Sequence, residues 1–152
     1  MISETTIERT LARLENASED YETEIRDFAE SQPELMEYLT NEDVEAFTER
    51  ERELLLFAAL VIFQSVEDEK SGVPEVSGEQ IAAAEESNYE TMGEAKGSFR
   101  DRLNPFFEQS REEDLLAFVE DLLLAEDGED EISREAREPF FVTLKTVIDT
   151  LT

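Results

Sequence analysis

The sequence predicts an all-α fold, a single-domain bundle of about six helices. Three observations predict it. Apolar residues recur at alternating steps of three and four along most of the chain. Ser or Thr followed three residues later by an acid stands ahead of several of these runs, which is the signature of a capping box. No segment alternates apolar and polar residues as a half-buried strand would.

Taken in order, Ile7, Leu11, Leu14, Tyr21, Ile25 and Phe28 form one face of a long amphipathic helix, with a break near Asn16 to Ser18. Ser31-Gln32-Pro33-Glu34 joins a capping box to a proline in the first turn, and opens a short helix carrying Leu35, Met36, Tyr38 and Leu39. Thr40 to Asp43 and Thr48 to Glu51 are two further caps. The second opens the helix that contains LLLFAALVIF, Leu54 to Phe63, and runs to Lys70. SGVPEVSG, residues 71–78, reads as a linker because it gathers Gly and Pro. Beyond it Ser77 caps a helix from Glu79 onward, and Ser110-Arg111-Glu112-Glu113 is a capping box leading into LLAFVEDLLL. Gly128 ends that helix. Glu138-Pro139 starts the last one, with Phe140, Phe141, Leu144, Val147, Ile148 and Leu151 on one face.

The stretches on either side of the linker, 1–70 and 79–152, align as an internal duplication of two three-helix halves. Leu11 and Leu14 pair with Tyr89 and Met92, and Tyr21, Ile25 and Phe28 pair with Phe99, Leu103 and Phe106. After gaps, ELMEYL from Glu34 matches DLLAFV from Asp114, and the segment from Thr48 matches that from Ser133. Such halves would pack about a pseudo-twofold axis around one shared core. In this alignment Ala58, Leu60 and Val61 face Thr143, Lys145 and Thr146, three polar residues suited to a solvent face. The Leu54 helix therefore has an extra apolar face. Either it lies at the centre of the fold, covered on all sides, or the extra face meets another chain. For the second case Phe57, Leu60 and Val61 are the candidate homodimer contact.

Acids outnumber bases 41 to 13, giving a formal net charge of -28. The acids are spread from end to end and Lys is scarce, a composition suited to the molar salt of a halophilic archaeon. A basic stripe for phosphates is missing, so nucleic acid is not an expected partner. The ten-residue apolar run would extend only about 15 Å as a helix, half the roughly 30 Å of a hydrocarbon core. With no signal-like N-terminus either, the expectation is a cytoplasmic protein that engages no membrane.

Without Cys there is no disulfide, thiolate site or thiol nucleophile, and without His the usual near-neutral base is missing. No Walker loop or dinucleotide fingerprint is present, and AEDGEDEIS lacks the spacing of a calcium loop. Tyr89, Met92, Phe106 and Phe107 read as core positions, and Arg100 and Arg102 as partners in ion pairs within their own helix. Glu19/Glu22, Glu34/Glu37 and Glu42/Glu45 have the Glu-x-x-Glu spacing with which all-α nucleotide pyrophosphohydrolases of the MazG and dimeric dUTPase type hold Mg ions; at this density of acids such spacing also arises by chance.

SFRDRLNPFFEQ followed by FFVTLKTVIDTL resembles the C-terminal pattern of the helical chaperones that mature molybdenum redox enzymes, an F-x-x-x-L-x-P step and a closing aromatic helix. The likeness lies within residues 98–151, and the acidic-proline-aspartate-histidine segment of that family is missing. The reading that results is a non-enzymatic interaction or accessory protein, without cofactor, that docks a protein partner or a second copy of itself through helix faces. A Mg-dependent hydrolase and a redox-enzyme assembly chaperone are the alternatives.

Overall fold

The computed structural model describes residues 2–16, 21–40, 47–70, 72–123 and 134–152. Among them every regular element is an α-helix, eight in number: α1 (Glu4–Asn16), α2 (Tyr21–Ser31), α3 (Pro33–Leu39), α4 (Glu49–Glu69), α5 (Gly78–Glu94), α6 (Phe99–Gln109), α7 (Glu113–Leu123) and α8 (Arg134–Leu151). None is long and apolar enough to cross a membrane. Of the expected cap at Thr40 to Asp43, Thr40 closes α3 by donating its N–H to the Met36 carbonyl; the rest of it, and the expected end at Gly128, lie outside the described residues.

Two divisions raise the count above six. The stripe from Ile7 to Phe28 is carried by two helices, α1 and α2. The chain beyond the linker divides again at Ala95, whose backbone is extended, and Gly97 turns it with φ of 107°. A side chain at Gly97 would be strained at that φ and would meet the Asp101 carboxylate at 3.0 Å. That carboxylate is in use: Asp101 Oδ2 accepts from the Ser98 N–H at 3.3 Å, while Ser98 Oγ accepts from the Asp101 N–H at 3.2 Å.

The caps at Thr48 and Ser77 form as the sequence predicts. Thr48 Oγ1 accepts from the Glu51 N–H at 3.1 Å and Glu51 Oε1 from the Thr48 N–H at 2.7 Å; Ser77 and Gln80 repeat the exchange. Other boundaries move. Ser110 closes α6 by donating its N–H to the Phe106 carbonyl, and its Oγ accepts from the Glu112 N–H, so α7 begins at Glu113 without a capping box. Helix α8 begins at Arg134, which leaves Pro139 inside it instead of at its start.

Ser31 ends α2, and Gln32 stands before Pro33 without capping α3. Its buried side chain reaches the linker instead, donating Nε2–H to the Pro74 carbonyl at 2.9 Å and accepting the Val76 N–H at 2.8 Å. Val76 is itself buried, so the linker is stitched into the bundle and two of its backbone groups are satisfied away from water.

Helices α4 and α8 pack against each other at the centre. Helix α1 lies on α4 and α5 lies on α8; α1 also meets α7, as α3 meets α5. Among the described residues each side of the linker carries four helices, not three. The sequence alignment exchanges α1 with α5, α3 with α7 and α4 with α8; these contacts map onto one another under that exchange, whereas the contact of α7 with α8 has no equal between α3 and α4.

Ala58 through Phe63 are buried without interruption, so LLLFAALVIF forms the middle of the core. Phe28 stacks on Phe63 at 4.7 Å, and Phe106 meets Phe141 edge-on at 4.9 Å. Leu60 and Val61 have no exposed surface within the single chain; of the three candidate contact residues only Phe57 keeps some, beside Tyr21 at 6.3 Å. Thr143, Lys145 and Thr146 overturn the expectation of a solvent face, because α5 packs over α8 and buries all three.

Candidate functional site

Burying polar side chains on α8 obliges them to find partners, since an unpaired buried polar group costs about 1–3 kcal/mol. Helix α5 supplies one in Asn88, buried in mid-helix. Its Nδ2 donates to Thr146 Oγ1 at 3.2 Å and to Asp149 Oδ2 at 3.1 Å. The other oxygen of Asp149 takes the Lys145 ammonium, one turn back on the same helix. The short helix α3 contributes Tyr38, whose O–H donates to Glu85 Oε2 of α5 at 2.5 Å and whose oxygen lies among the hydroxyls of Thr143 and Thr146. A polar seam therefore threads α3, α5 and α8 in the order Glu85, Tyr38, Thr146, Asn88, Asp149, Lys145.

The seam opens at both ends. At the Tyr38 end, a depression of about 270 Å³ between α3 and α5 has buried Ile81 and half-buried Tyr38 as its floor, with exposed Gly78 and Ala82 beside them, exposed Glu34 and Glu37 at its rim, and half-buried Glu85 completing the lining. None of these three carboxylates is in an ion pair among the described residues. At the other end, a space of about 380 Å³ is bounded by Lys70, Gln109, Ser110, Arg111, Glu112, Lys145, Asp149 and Thr152. A wider groove of about 480 Å³ runs between α1 and α4, but its cations are engaged: Arg9 with Asp68, and Arg13 with Glu24 and Gln64.

Of the three Glu-x-x-Glu pairs, Glu34/Glu37 alone is wholly described, and it sits at the rim of the Tyr38 opening; Glu19, Glu42 and Glu45 lie outside the described residues. Among the described residues no three His, Cys, Asp or Glu side chains converge on one ion position. Arg102 bonds across the fold, to the Met92 carbonyl and to Glu138 of α8 at 3.2 Å each, instead of pairing within its own helix; Asp101 is occupied by the Ser98 cap. Met92 and Phe106 are core as expected and Phe107 is partly buried, whereas Tyr89 is 42 % exposed.

The sequence reading missed the seam. The available signal was that Thr143, Lys145 and Thr146 are interleaved with Phe141, Val142, Leu144, Val147 and Ile148, too many apolar neighbours for a face open to water.

Burial pushes the Tyr38 phenol well above the ordinary tyrosine value, the Glu85 carboxylate beside it pushes it further, and the two threonine hydroxyls offset part of that. Tyr21 and Tyr89 move the same way, by burial first and then by the carboxylates of Glu53, and of Glu85 and Glu138. A phenol whose folded pKa is raised holds its proton after the unfolded chain has begun to lose it. The stability it contributes is thus complete below about pH 10 and is lost as pH rises through the folded value. The melting temperature, measured at constant salt, is expected to fall above about pH 10, and to fall less steeply in Tyr38→Phe. Equal slopes in the two proteins would show that Tyr38 is not the group responsible.

Compared with protein-family models, with curated proteins and with solved structures, the chain gives no match in any of the three.

Proposed function

We propose that the protein is a non-enzymatic accessory protein that docks a cationic segment of another protein in the opening between α3 and α5. The observation that carries this reading is the construction of that opening, an apolar floor of Ile81 and the Tyr38 ring beside three carboxylates that form no ion pair among the described residues, Glu85 among them holding the Tyr38 hydroxyl. A Lys or Arg side chain divides in the same way, with an aliphatic stem for the floor and a charged head for the rim. In the molar salt to which the composition is suited, exposed charge pairs alone are weak, so the apolar floor supplies the part of the recognition that screening leaves intact.

The partner is a different protein and not a second copy. An acidic rim offers a second copy no cationic segment to seat, and two of the three residues suggested for a homodimer contact, Leu60 and Val61, lie in the core. The same packing supports reading the chain as a duplicated four-helix unit about the α4–α8 contact, with the opening where α3 of one half meets α5 of the other.

The test is recovery of a stoichiometric partner from native lysate in molar potassium chloride, using the wild type and Glu34→Lys/Glu37→Lys. Both side chains are exposed, so the variant keeps its fold. Binding is expected to weaken by at least about tenfold in the variant. Retention of the partner by the variant, or a partner that binds without basic residues, overturns the docking site.

A further inference from the structure

The second opening gathers three basic side chains, where the groove between α1 and α4 has two. Lys70, Arg111 and Lys145, three of the 13 basic residues in a chain with 41 acids, line one space of about 380 Å³. They come from separate segments: Lys70 caps the end of α4, Arg111 lies in the turn between α6 and α7, and Lys145 is on α8. Lys70 also suits the negative end of the α4 dipole, but that accounts for one cation and not for three.

Two carboxylates, Glu112 and Asp149, line the same space, and each has partners within the chain. Glu112 Oε1 accepts the Ile2 N–H at 2.8 Å, and Asp149 holds both Lys145 and Asn88. Lys70 and Arg111 form no ion pair among the described residues. Asp149 is thus the counter-charge of Lys145, while Lys70 and Arg111 are left to repel each other, a repulsion that an anion held between them would relieve.

Lys145 is also unlike a surface lysine. Its side chain is 10 % exposed, and its ammonium is fixed by Asp149, which Asn88 fixes in turn. One donor position is therefore ordered before any ligand arrives, which reduces the entropy lost on binding. Gln109 and the Ser110 hydroxyl add neutral donors at the same wall. The space is of the size that small-molecule sites occupy.

We propose that this opening binds a small phosphate-bearing ligand, a phosphate ester or a pyrophosphate, with Lys70 and Arg111 on the phosphoryl oxygens and Lys145 as the ordered third cation. Guanidinium and ammonium groups together are the usual means of holding such oxyanions, Arg through its planar fork and Lys as a point charge. The proposal stands independently of the docking site at the opposite end of the seam.

The experiment is thermal denaturation of the full chain with sodium pyrophosphate, against potassium chloride of matched ionic strength, for the wild type and for Lys70→Ala/Arg111→Ala. Both replaced side chains are exposed, so the variant is expected to melt as the wild type does without ligand. Pyrophosphate is expected to raise the wild-type melting temperature saturably, and the apparent affinity is expected to drop roughly tenfold or more for each cation removed. A shift no larger than that of the matched chloride, or one that the double variant retains, overturns the site. Should the variant melt early, amide chemical-shift mapping on the wild type decides: changes gathered at residues 109–112 and 145–152 support the site, and changes spread over the chain overturn it.

Discussion

Moved from molar potassium chloride to a few tens of millimolar salt, the protein is expected to lose most of its helical circular-dichroism signal. The structure explains why the loss should be large. Helices α1, α2, α5 and α7 carry acids over their exposed faces, and few cations are placed to answer them: Arg9 is committed to Asp68, Arg13 to Glu24, Arg102 to Glu138 and Lys145 to Asp149. The remaining negative charges repel at every separation shorter than the screening length. That length is about 3 Å at 1 M salt and about 30 Å at 0.01 M, so dilution extends the repulsion from immediate neighbours to the whole bundle. Compactness brings these charges together and unfolding relieves them, hence the compact state is the one penalised. A sharp melt that persists unchanged at low ionic strength would remove the halophile reading altogether.

The second large effect is expected from Leu60→Ala, which is predicted to destabilise the chain by about 2–5 kcal/mol and to lower the melting temperature by on the order of 10 °C. Leu60 is wholly buried on α4, the helix that faces α8 and also carries α1. Truncation there leaves a void between helices that are held on several sides and cannot easily collapse into it. Phe57→Ala is the comparison, because Phe57 sits on the same helix but keeps exposed surface and touches Tyr21 near the edge of the core; its loss should be the smaller. Were Leu60 an intermolecular contact instead, the variant would change mass in light scattering while the melting temperature of the dilute protein stayed in place.

Much of the fold was legible because helices announce themselves locally. Thr48 with Glu51 and Ser77 with Gln80 stand three residues apart at the head of their helices, and the capping geometry needs nothing from elsewhere in the chain. Ser98 escaped notice because no helix start was expected between Ser77 and Ser110, although Asp101 follows it at the same spacing as Asp43 follows Thr40. Pro139 misled for a related reason: proline favours the first turn, but a helix tolerates it further in when its other turns are held by packing, and Phe140 to Ile148 are buried. The two openings were not legible at all. Asn88 meets Asp149 across 61 positions of sequence, and Lys70, Arg111 and Lys145 come together only because α4, α8 and the α6–α7 turn converge. No window along the chain contains that information.

The Gln32 amide has a mechanical meaning. A stretch of Gly, Pro and Ser between two groups of helices would ordinarily serve as a hinge, and its composition invites that reading. Here one side chain grips the strap from both sides, at Pro74 and at Val76, and turns it into a rivet. To swing one group against the other, the chain would have to pull an uncharged amide and two backbone groups out of matched bonds at once. Those two bonds, each contributing about 1 kcal/mol, oppose any swing of one group of helices against the other, so the segment acts as a fastener where its composition alone would suggest a joint.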